Sequence, residues 1–596
     1  MKFISTEQFI PFVKKWGVLI LQIITLVVYQ WLFYRQTGGT SIFTEGMGLM
    51  FTFAILISLL FSFFRTQWLY PVFLLLFIIQ LYANILYYRT YYAFIPFSSY
   101  LIVGNLKEFD QAVIMLMKGK DLFLLLPFVI YLIANRLLLR NGIIPINHWK
   151  RSCVLVSSAI LCTVLSLAAL KGSGVSGRFF YENVEATRKS SFPVYFAFSI
   201  YEYVQHRTID LTTEERHKIA AFIPDVPVKR TVASKNLILI LIESLESWPV
   251  SSEVEGQPIM PFLNSLVNDE NIWYNPYLLP QTHDGGSMDA QLILNTGLLP
   301  PRRGAFAFMY ENNTYPSLSK ILKANGYANT SIYQACRPTM WNQTKVNHAF
   351  GTEQFRDVSS YICTDLIGNA LSDSSFLAQT AKMLTDLPEP FYAQLITQSS
   401  HTPFRLPENK KKLSLAADRF NETFADYLEA ISYVDASLQN FFEKMKTEGL
   451  YDRSIFILTG DHCTSYGTGK LSDWLEPYRD SFHIKGNFVP LIIINGGVNG
   501  ISEQMAAQID VFPTLLDLLG INSKWNGLSS SLFAPGRKPS VCSVDDGFTV
   551  DSTEYDYCKE MAEISDLIIR GNYFKNTTVS KLPTDTGIIT NVSVPD

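Results

Sequence analysis

The sequence predicts a multi-pass α-helical membrane domain of five spans, followed by an α/β domain outside the membrane. Two observations support this division: apolar segments crowd the first 170 residues, and strand-like and helix-like patterns alternate after residue 233. Composition agrees, because the 596 residues are 48% hydrophobic and 17% charged, against about 25% charged in soluble domains. We place the transmembrane domain at 1–171, a juxtamembrane helical connector at 172–232 and an extracytoplasmic domain at 233–596.

Five apolar segments are long enough, or nearly so, to cross about 30 Å of hydrocarbon as helices. They are residues 16–34, 46–64, 68–88, 122–139 and 152–170, and Arg136 is their one charged residue. Tryptophan and tyrosine stand at several segment ends, as is typical of membrane interfaces. One such segment could also be a buried core helix, but five in succession favour a membrane domain.

The charge pattern orients this domain. Lysine and arginine are more frequent on the side of the N-terminus, which predicts that this side faces the cytoplasm. An odd number of spans then places everything after Lys171 outside, where disulfides are allowed, and the five cysteines found there leave at least one unpaired within the chain. The net charge of −4 argues against a partner such as nucleic acid.

The second half alternates strands and helices. NLILILIES (236–244), FYAQLITQSSH (391–401) and SIFILTGDH (454–462) have the apolar runs of buried parallel strands. Helical patterns follow at 261–267, 315–327, 424–450 and 510–520. This alternation predicts a sheet with helices on both faces, and functional groups at the carboxyl ends of its strands.

Three residues at these strand ends form a candidate metal site. Glu243 follows one strand, and Asp461 and His462 follow another. Two carboxylates and an imidazole suit a divalent cation such as zinc or manganese. An acid after a strand is also typical of a solvated strand end, so the pattern leaves both interpretations open.

Ser287 is the candidate nucleophile. In QTHDGGSMDAQ, Gly285 and Gly286 permit a tight turn, and Ser287 opens an apolar helical run. A hydroxyl there lies among free N–H groups that favour anions, although an ordinary helix cap explains the same pattern. Thr282 is the second candidate, and the neighbours His283 and Asp284 are either further ligands or solvated loop residues.

The order Glu243, Ser287, His401, Asp461–His462 resembles the alkaline-phosphatase/sulfatase superfamily, and within it the lipoteichoic-acid-synthase type of membrane phosphoglycerol transferase. That family also has five spans before an outer catalytic domain, so the resemblance covers nearly the whole chain. The matching pieces are NLILILIESLESW, MPFLNSL, GGSMDAQ, YPSLSKILKANGY, SSHTPF, YVDASLQNFFEKMKTEGLYDRSIFILTGDH and QIDVFPTLLDLLG.

The resemblance implies roles for these residues. The family's counterparts of Glu243, Asp461 and His462 bind a divalent metal (Mn, Mg or Zn) together with a threonine nucleophile, whose position Ser287 occupies. The counterpart of His401 contacts the substrate phosphate. The implied reaction transfers a phosphoglycerol-type head group from a membrane phospholipid donor to a cell-envelope glycan or lipid acceptor at the bacterial cell (inner) membrane.

The sequence departs from the family around MWNQ (340–343). Trp341 and Asn342 match the family's substrate pocket, whereas its charged positions correspond to Gln334, Cys336 and Gln343. Arg337 is a candidate replacement for the missing positive charge. This departure leaves the identity of the donor lipid and of the acceptor open.

Four alternatives to phosphoglycerol transfer are considered. Transfer of phosphoethanolamine is a close variant, and a phosphodiesterase or phosphatase with water as acceptor would use the same residues. A non-catalytic envelope protein could retain the fold. A sulfatase is disfavoured because Ser287 is followed by Met-Asp-Ala-Gln, which lacks the C/S-x-P-x-R maturation pattern.

Overall fold

The structure is a computed structural model, and its described residues separate into two units, one up to Gln205 and one from Thr208 onward. The predicted domain limits remain a prediction. The described residues are 6–39, 47–62, 66, 68–91, 94–95, 97–100, 114, 116–140, 187, 191–205, 208–223, 235–283, 285–301, 304–368, 370–416, 418–464, 471–535, 537 and 552–575.

The first unit is a helical bundle. Its longer helices are Thr6–Gln36, Met47–Ser62, Leu69–Tyr91, Leu126–Arg140 and Phe192–Gln205, and a 3-10 helix at Gly119–Leu125 leads into the fourth of these. Phe97–Tyr100 forms one further helical turn. The last long helix lies in the predicted connector, yet Phe192 and Tyr195 pack into the core of this bundle.

Three helical stretches of the first unit meet the length and hydropathy of a membrane span: Trp16–Gln36, Leu69–Arg89 and Gly119–Arg140. They correspond to the first, third and fourth predicted spans. The second predicted span holds a shorter apolar helix, Gly48–Phe61, and the fifth (152–170) lies outside the described residues. The number of five spans therefore remains a prediction.

The outer surface of these helices is apolar, as contact with lipid requires. Large side chains exposed on it include Ile24, Leu60, Leu76, Leu122, Phe123, Ile133 and Leu137. The charged groups Arg89 and Asp121 form a largely buried ion pair at 2.6 Å, and Tyr82 donates to the same carboxylate at 3.1 Å. An unpaired charge would be costly there.

The second unit is built on a nine-stranded mixed sheet of order β12-β4-β11-β10-β1-β9-β5-β6, with β13 also paired to β4. Two short ribbons, β2–β3 and β7–β8, lie outside it. The strands are β1 (Asn236–Ile242), β2 (Glu253–Val254), β3 (Gln257–Pro258), β4 (Trp273–Leu279), β5 (Asn329–Tyr333), β6 (Gln354–Arg356), β7 (Leu366–Ile367), β8 (Ala370–Leu371), β9 (Phe391–Ile396), β10 (Ser454–Gly460), β11 (Val489–Ile494), β12 (Gly500–Ile501) and β13 (Ala506–Ala507).

The three strands expected from their apolar runs lie side by side at the centre. β1 pairs in parallel with both β9 and β10, and every residue of β1 is buried. Odd-numbered β1 residues such as Leu239 join one hydrophobic core, and even-numbered residues such as Ile240 join another. A strand buried on both faces needs a continuous apolar run, which is what these segments have.

Helices cover both faces of the sheet, which confirms the predicted α/β architecture. One core includes residues of Ser287–Thr296, Leu318–Ala324, Val511–Leu518 and Ser552–Arg570. The other includes residues of Pro261–Val267, Asp373–Thr385 and Glu422–Thr447. Shorter helices are Thr213–Phe222, Phe306–Met309 and Gln343–Ala349, with 3-10 turns at Trp248–Ser251, Met340–Asn342, Val358–Ser360, Glu408–Lys410, Glu476–Tyr478 and Gln508–Asp510.

Two strands of the sheet, β4 and β11, were not predicted, and β11 runs against its neighbours. β11 pairs antiparallel with β10 and with β4, so β4 again runs in the direction of β10. Its carboxyl end therefore lies at the same sheet edge as the ends of β1, β9 and β10. Among the described cysteines, Cys336, Cys363 and Cys463 form no disulfide, while Cys558 is disulfide-bonded.

Candidate metal centre and nucleophile

Strand register brings the two halves of the candidate metal site together. The last paired residues of β1 and β10 are Ile242 and Gly460, so Glu243 and Asp461 leave adjacent strands at the same level. The Asp461 N–H donates to the Ile242 carbonyl at 3.2 Å and extends the ladder by one step. The two acids, 218 positions apart in the chain, become neighbours through sheet pairing alone.

Glu243, Asp461 and His462 form a buried cluster whose ligand atoms all lie within 4.8 Å of one another. His462 Nε2 lies 3.5 Å from Glu243 Oε1 and 3.4 Å from Asp461 Oδ2. The other ring nitrogen, Nδ1, is 3.1 Å from the Cys463 carbonyl, which fixes the ring with Nε2 toward the carboxylates.

The two oxygens of Asp461 have different surroundings. Oδ1 accepts the N–H groups of Ser244 and His462, both at 2.7 Å. Oδ2 is buried and has no hydrogen-bond partner among the described residues. A buried, unsatisfied carboxylate oxygen beside a second carboxylate and an imidazole fits a divalent cation, which would complete its coordination.

Ser287 lies at this cluster. Its Oγ donates to Glu243 Oε2 at 3.1 Å and lies 3.4 Å from His462 Nε2. The serine is the first residue of the helix Ser287–Thr296, which follows the loop after β4. The structure therefore brings together all four residues that the sequence analysis placed around one metal ion, and their roles as ligands and nucleophile remain a proposal.

Electrostatics around the cluster favour a cation. Burial and the nearby charge of Asp461 raise the pKa of Glu243 to about 8. Two carboxylates in a poorly hydrated site repel each other, and a proton or a metal ion relieves that repulsion. The donor set and its charge therefore suit a divalent cation.

The loop before Ser287 is shaped by the buried carboxylate of Asp289. Its Oδ2 accepts the N–H groups of His283 at 2.8 Å and Gly285 at 3.0 Å. Gly286 has φ 52° and ψ −127°, a conformation open to glycine but not to other residues. The Gly-Gly turn predicted from sequence thus depends on the carboxylate of Asp289.

We expect Gly285→Ala to lower turnover by about a hundredfold with little change in metal affinity. A Cβ at this position would lie 2.1 Å from Asp289 Oδ1, so the carboxylate that shapes the loop must move and Ser287 moves with it. Steady-state kinetics and metal titration measure the two effects. Wild-type turnover in this variant would show that the loop does not position Ser287.

His401 lies in a loop that is tied to the site. The Gln398 and Ser399 N–H groups donate to the buried Asp373 carboxylate, and Ser400 Oγ donates to the Glu243 carbonyl at 2.5 Å. His401 Nδ1 lies 2.7 Å from the Thr402 carbonyl and must therefore carry a proton to donate. Burial lowers the pKa of this histidine, and the charge of Asp461 opposes that shift.

Two of the predicted substrate-contact residues have a left-handed backbone conformation. Trp341 and Asn342 have φ values of 48° and 58°, in a region that costs non-glycine residues on the order of 1 kcal/mol or more. Trp341 packs against the Phe308 ring at 5.6 Å, and Asn342 donates to the Ala307 carbonyl at 2.9 Å. Arg337, the predicted replacement cation, is exposed.

The positions that depart from the family's charges form a neutral amide pair. Gln343 Nε2 donates to Gln334 Oε1 at 2.7 Å and lies 3.0 Å from Met288 Sδ, on the residue that follows Ser287. Cys336 is buried and forms no disulfide. Thr282 is buried, and Asp284 lies outside the described residues.

Sequence reasoning missed several buried polar residues that support the site. Asp373 and Glu246 each accept backbone N–H groups from site loops. Gln508 Nε2 donates to the Asp461 carbonyl at 2.7 Å, while its Oε1 accepts the Gln281 N–H at 3.0 Å. Glu246 lies in NLILILIESLESW, one of the segments that resemble the family. Nothing in the neighbouring sequence identifies its hydrogen-bond partners.

Two known families match the two parts of the chain. Residues 1–209 match the lipoteichoic acid synthase N-terminal domain, and residues 235–521 match the sulfatase family. The second match contains all the proposed ligands and Ser287. The first match indicates a membrane domain at the N-terminus.

Individual proteins show the same two-part similarity. Lipoteichoic acid synthase 1 of Bacillus subtilis (strain 168) is 28% identical over 500 residues, which are 80% of this chain and 78% of that protein. Lipoteichoic acid synthase of Staphylococcus aureus (strain USA300) is 27% identical over 485 residues, 77% of this chain and 74% of that one.

Solved structures share the fold. A lipoteichoic acid synthase from Listeria monocytogenes aligns with a TM-score of 0.50 at 21% identity, over 60% of this chain and 98% of that chain. The integral membrane lipooligosaccharide phosphoethanolamine transferase A from Neisseria meningitidis aligns with a TM-score of 0.54 at 14% identity, over 86% of this chain and 96% of that chain.

Proposed function

Because the chain is a lipoteichoic-acid-synthase-like enzyme of the sulfatase superfamily, we propose that it moves a phosphoglycerol-type head group from a membrane phospholipid to a cell-envelope glycan or lipid acceptor. The transfer proceeds through a covalent phosphoester on Ser287. One observation carries this proposal: the Ser287 hydroxyl lies 3.1 Å from Glu243 and 3.4 Å from His462, beside Asp461.

Glu243, Ser287, Asp461 and His462 would hold the divalent metal. Bound there, Mn²⁺, Mg²⁺ or Zn²⁺ would supply Lewis acidity that lowers the pKa of a hydroxyl and stabilises charge on phosphate oxygens. The unsatisfied Oδ2 of Asp461 and the Nε2 of His462 support this assignment. The choice among the three metals is left to experiment.

The bonds and protons of the two steps balance. Ser287 Oγ loses its proton to solvent and attacks phosphorus, the bond from phosphorus to the diacylglycerol oxygen breaks, and diacylglycerol leaves with a proton from solvent. An acceptor hydroxyl then attacks phosphorus, the bond to Ser287 Oγ breaks, and the serine regains a proton.

His401 would contact the phosphate. With Nδ1 donating to Thr402, its Nε2 donates to a phosphate oxygen only in the protonated ring. Burial disfavours that form in the free protein. The negative charge of a bound phosphodiester favours it, so phosphate binding and protonation of His401 would be coupled.

Trp341, Asn342 and Arg337 are the proposed substrate contacts around the head group. Glycerol is neutral, so the neutral pair Gln334–Gln343 near Ser287 is compatible with it. Ethanolamine carries a positive charge. Among the described residues, the hydrogen-bond partners of Gln334 and Gln343 include no acidic group that would balance this charge. We therefore keep phosphoethanolamine transfer as the second candidate and phosphoglycerol transfer as the first.

The proposed setting is the bacterial cell membrane, with the catalytic domain outside the cytoplasm. The N-terminal membrane region tethers the catalytic domain to the bilayer that contains the donor lipid, which raises the effective concentration of that lipid. The predicted five spans and the excess of positive residues on the N-terminal side support this orientation.

The test is the mass of the covalent adduct. Full-length protein in detergent is incubated with Mn²⁺ and phosphatidylglycerol, quenched in acid and digested. We expect a glycerophosphate adduct on the peptide that contains Ser287. An ethanolamine phosphate adduct, formed only from phosphatidylethanolamine, would select the second candidate.

Product analysis separates transfer from hydrolysis. Growth of a labelled glycolipid acceptor indicates a transferase, whereas free glycerol phosphate released at the rate of lipid consumption indicates a hydrolase. Turnover with no adduct at any quench time would contradict the covalent mechanism.

A further inference from the structure

A third buried carboxylate, Glu246, lies behind the candidate metal centre. It comes three residues after Glu243 and is fully buried. Its Oε1 accepts the Thr464 N–H at 2.9 Å and the Thr464 hydroxyl at 2.7 Å, and its Oε2 accepts Trp248 Nε1–H at 2.9 Å. Every partner is a donor, so the carboxylate is satisfied without a metal ion.

These bonds link the two loops that carry the ligands. Thr464 comes two residues after His462, on the loop that leaves β10, while Glu246 is on the loop that leaves β1. A further contact holds the β10 loop, since the Thr464 and Ser472 hydroxyls are 3.2 Å apart. The loop of β1 is held separately, because Tyr427 Oη donates to the Ser244 carbonyl at 3.0 Å.

We propose that Glu246 is a positioning residue that holds the Asp461–His462 loop at the right distance from Glu243. Its carboxylate touches neither the nucleophile nor the reacting atoms in this arrangement and acts through Thr464. This inference rests on the proposed metal site, and it adds a supporting residue that sets the affinity of that site.

The chemistry of the partners explains why a carboxylate is needed. An amide at this position would have one oxygen and one NH₂ group. The NH₂ group would face either the Thr464 donors or the Trp248 N–H, so one donor would lose its acceptor. Glu246→Gln therefore loosens the link while it preserves the side-chain size.

A simpler interpretation is that Glu246 acts only through its negative charge, as a third anion near a cation. Thr464→Val separates the two interpretations. It removes the hydroxyl that donates to Glu246 at 2.7 Å, keeps the backbone N–H bond and the β-branched shape, and leaves the charge of Glu246 unchanged.

The experiment is calorimetric titration of Mn²⁺ into full-length, EDTA-treated protein in detergent. We expect Glu246→Gln to weaken the Mn²⁺ affinity by about tenfold or more, and Thr464→Val to weaken it by several fold. The matched control is Glu429→Gln, since Glu429 is a buried carboxylate that accepts the Lys412 and Leu413 N–H groups away from the site. Its Mn²⁺ affinity should equal that of the wild type.

Thermal unfolding of the metal-free variants is measured in parallel. Metal-free Glu246→Gln could unfold at a lower temperature than the wild type. The positioning role of Glu246 is still supported if Thr464→Val unfolds at the wild-type temperature and binds Mn²⁺ weakly. If Thr464→Val binds Mn²⁺ with wild-type affinity, the positioning role of Glu246 is overturned, whether or not Glu246→Gln loses affinity. Glu246 would then act only through its negative charge or through the stability of the fold. Absence of Mn²⁺ binding by the wild type would instead overturn the proposed metal dependence, and this inference with it.

Discussion

Replacing Ser287 with alanine is expected to lower head-group transfer by at least about a thousandfold while leaving metal binding largely intact. The hydroxyl is the only atom of this side chain that contacts the cluster, through Glu243 at 3.1 Å and His462 at 3.4 Å. The remaining ligand atoms come from Glu243, Asp461 and His462, which alanine leaves in place. Transfer rates and Mn²⁺ affinity measured on the same preparation test both parts.

Two control variants make this result specific. Ser287→Thr keeps a hydroxyl at the start of the helix and should retain a substantial part of the activity. Thr282→Ala removes the second candidate nucleophile, which is buried, and should leave the chemical step near the wild-type rate. Wild-type turnover by Ser287→Ala, combined with loss of turnover by Thr282→Ala, would reassign the nucleophile.

Asp461→Asn is expected to have opposite effects on activity and on the stability of the metal-free protein. The asparagine oxygen can still accept the Ser244 and His462 N–H groups that Oδ1 accepts at 2.7 Å. Its NH₂ group replaces Oδ2 and cannot bind a cation. We expect activity to fall by at least about a hundredfold and the metal-induced rise in melting temperature to disappear.

In EDTA, the same variant should melt at a higher temperature than the wild type. The substitution removes one of two buried carboxylates that repel each other. The pKa of Glu243 is raised to about 8, so between about pH 4.5 and 8 the folded wild type binds a proton that the unfolded chain has lost. Wild-type stability therefore falls as pH rises through this window, and the advantage of Asp461→Asn grows with it.

Melting curves at several pH values, with and without Mn²⁺, check this prediction. The difference between variant and wild type in EDTA should be larger at pH 8.5 than at pH 6. A variant that is less stable than the wild type at both pH values would show that the two carboxylates do not repel in the metal-free protein. Wild-type stabilisation by Mn²⁺ serves as the internal reference.

Much of the site could be predicted because its residues follow local patterns. β1, β9 and β10 are apolar runs that suit only strands buried on both faces, and Glu243 and Asp461 stand directly at their ends. The Gly-Gly turn before Ser287 is likewise a local signal. Since parallel strands of one sheet end at the same edge, Glu243, Asp461 and His462 could be expected to converge, whereas the place of Ser287 beside them was implied only by the family resemblance.

The rest depended on strand pairing and on which buried polar side chains meet in the fold. β11 inserts antiparallel between β10 and β4, and no local pattern specified that order. The Gln334–Gln343 pair and the Glu246–Thr464 link consist of polar side chains whose local sequence is compatible with a solvated surface. Their burial decides their role, because a buried polar group must find a partner and a solvated one need not.

The sequence by itself thus determined the two-part organisation, the central parallel strands and the identity of the residues at their ends, since hydrophobic periodicity and turn residues act over a few positions. Only the tertiary structure decided the strand order, the pairing of Gln334 with Gln343 near Ser287 and the buried acids that hold the ligand loops. In several of these features the interacting residues are more than a hundred positions apart in the chain. The energy of a hydrogen bond or a buried charge depends on which partner the fold supplies.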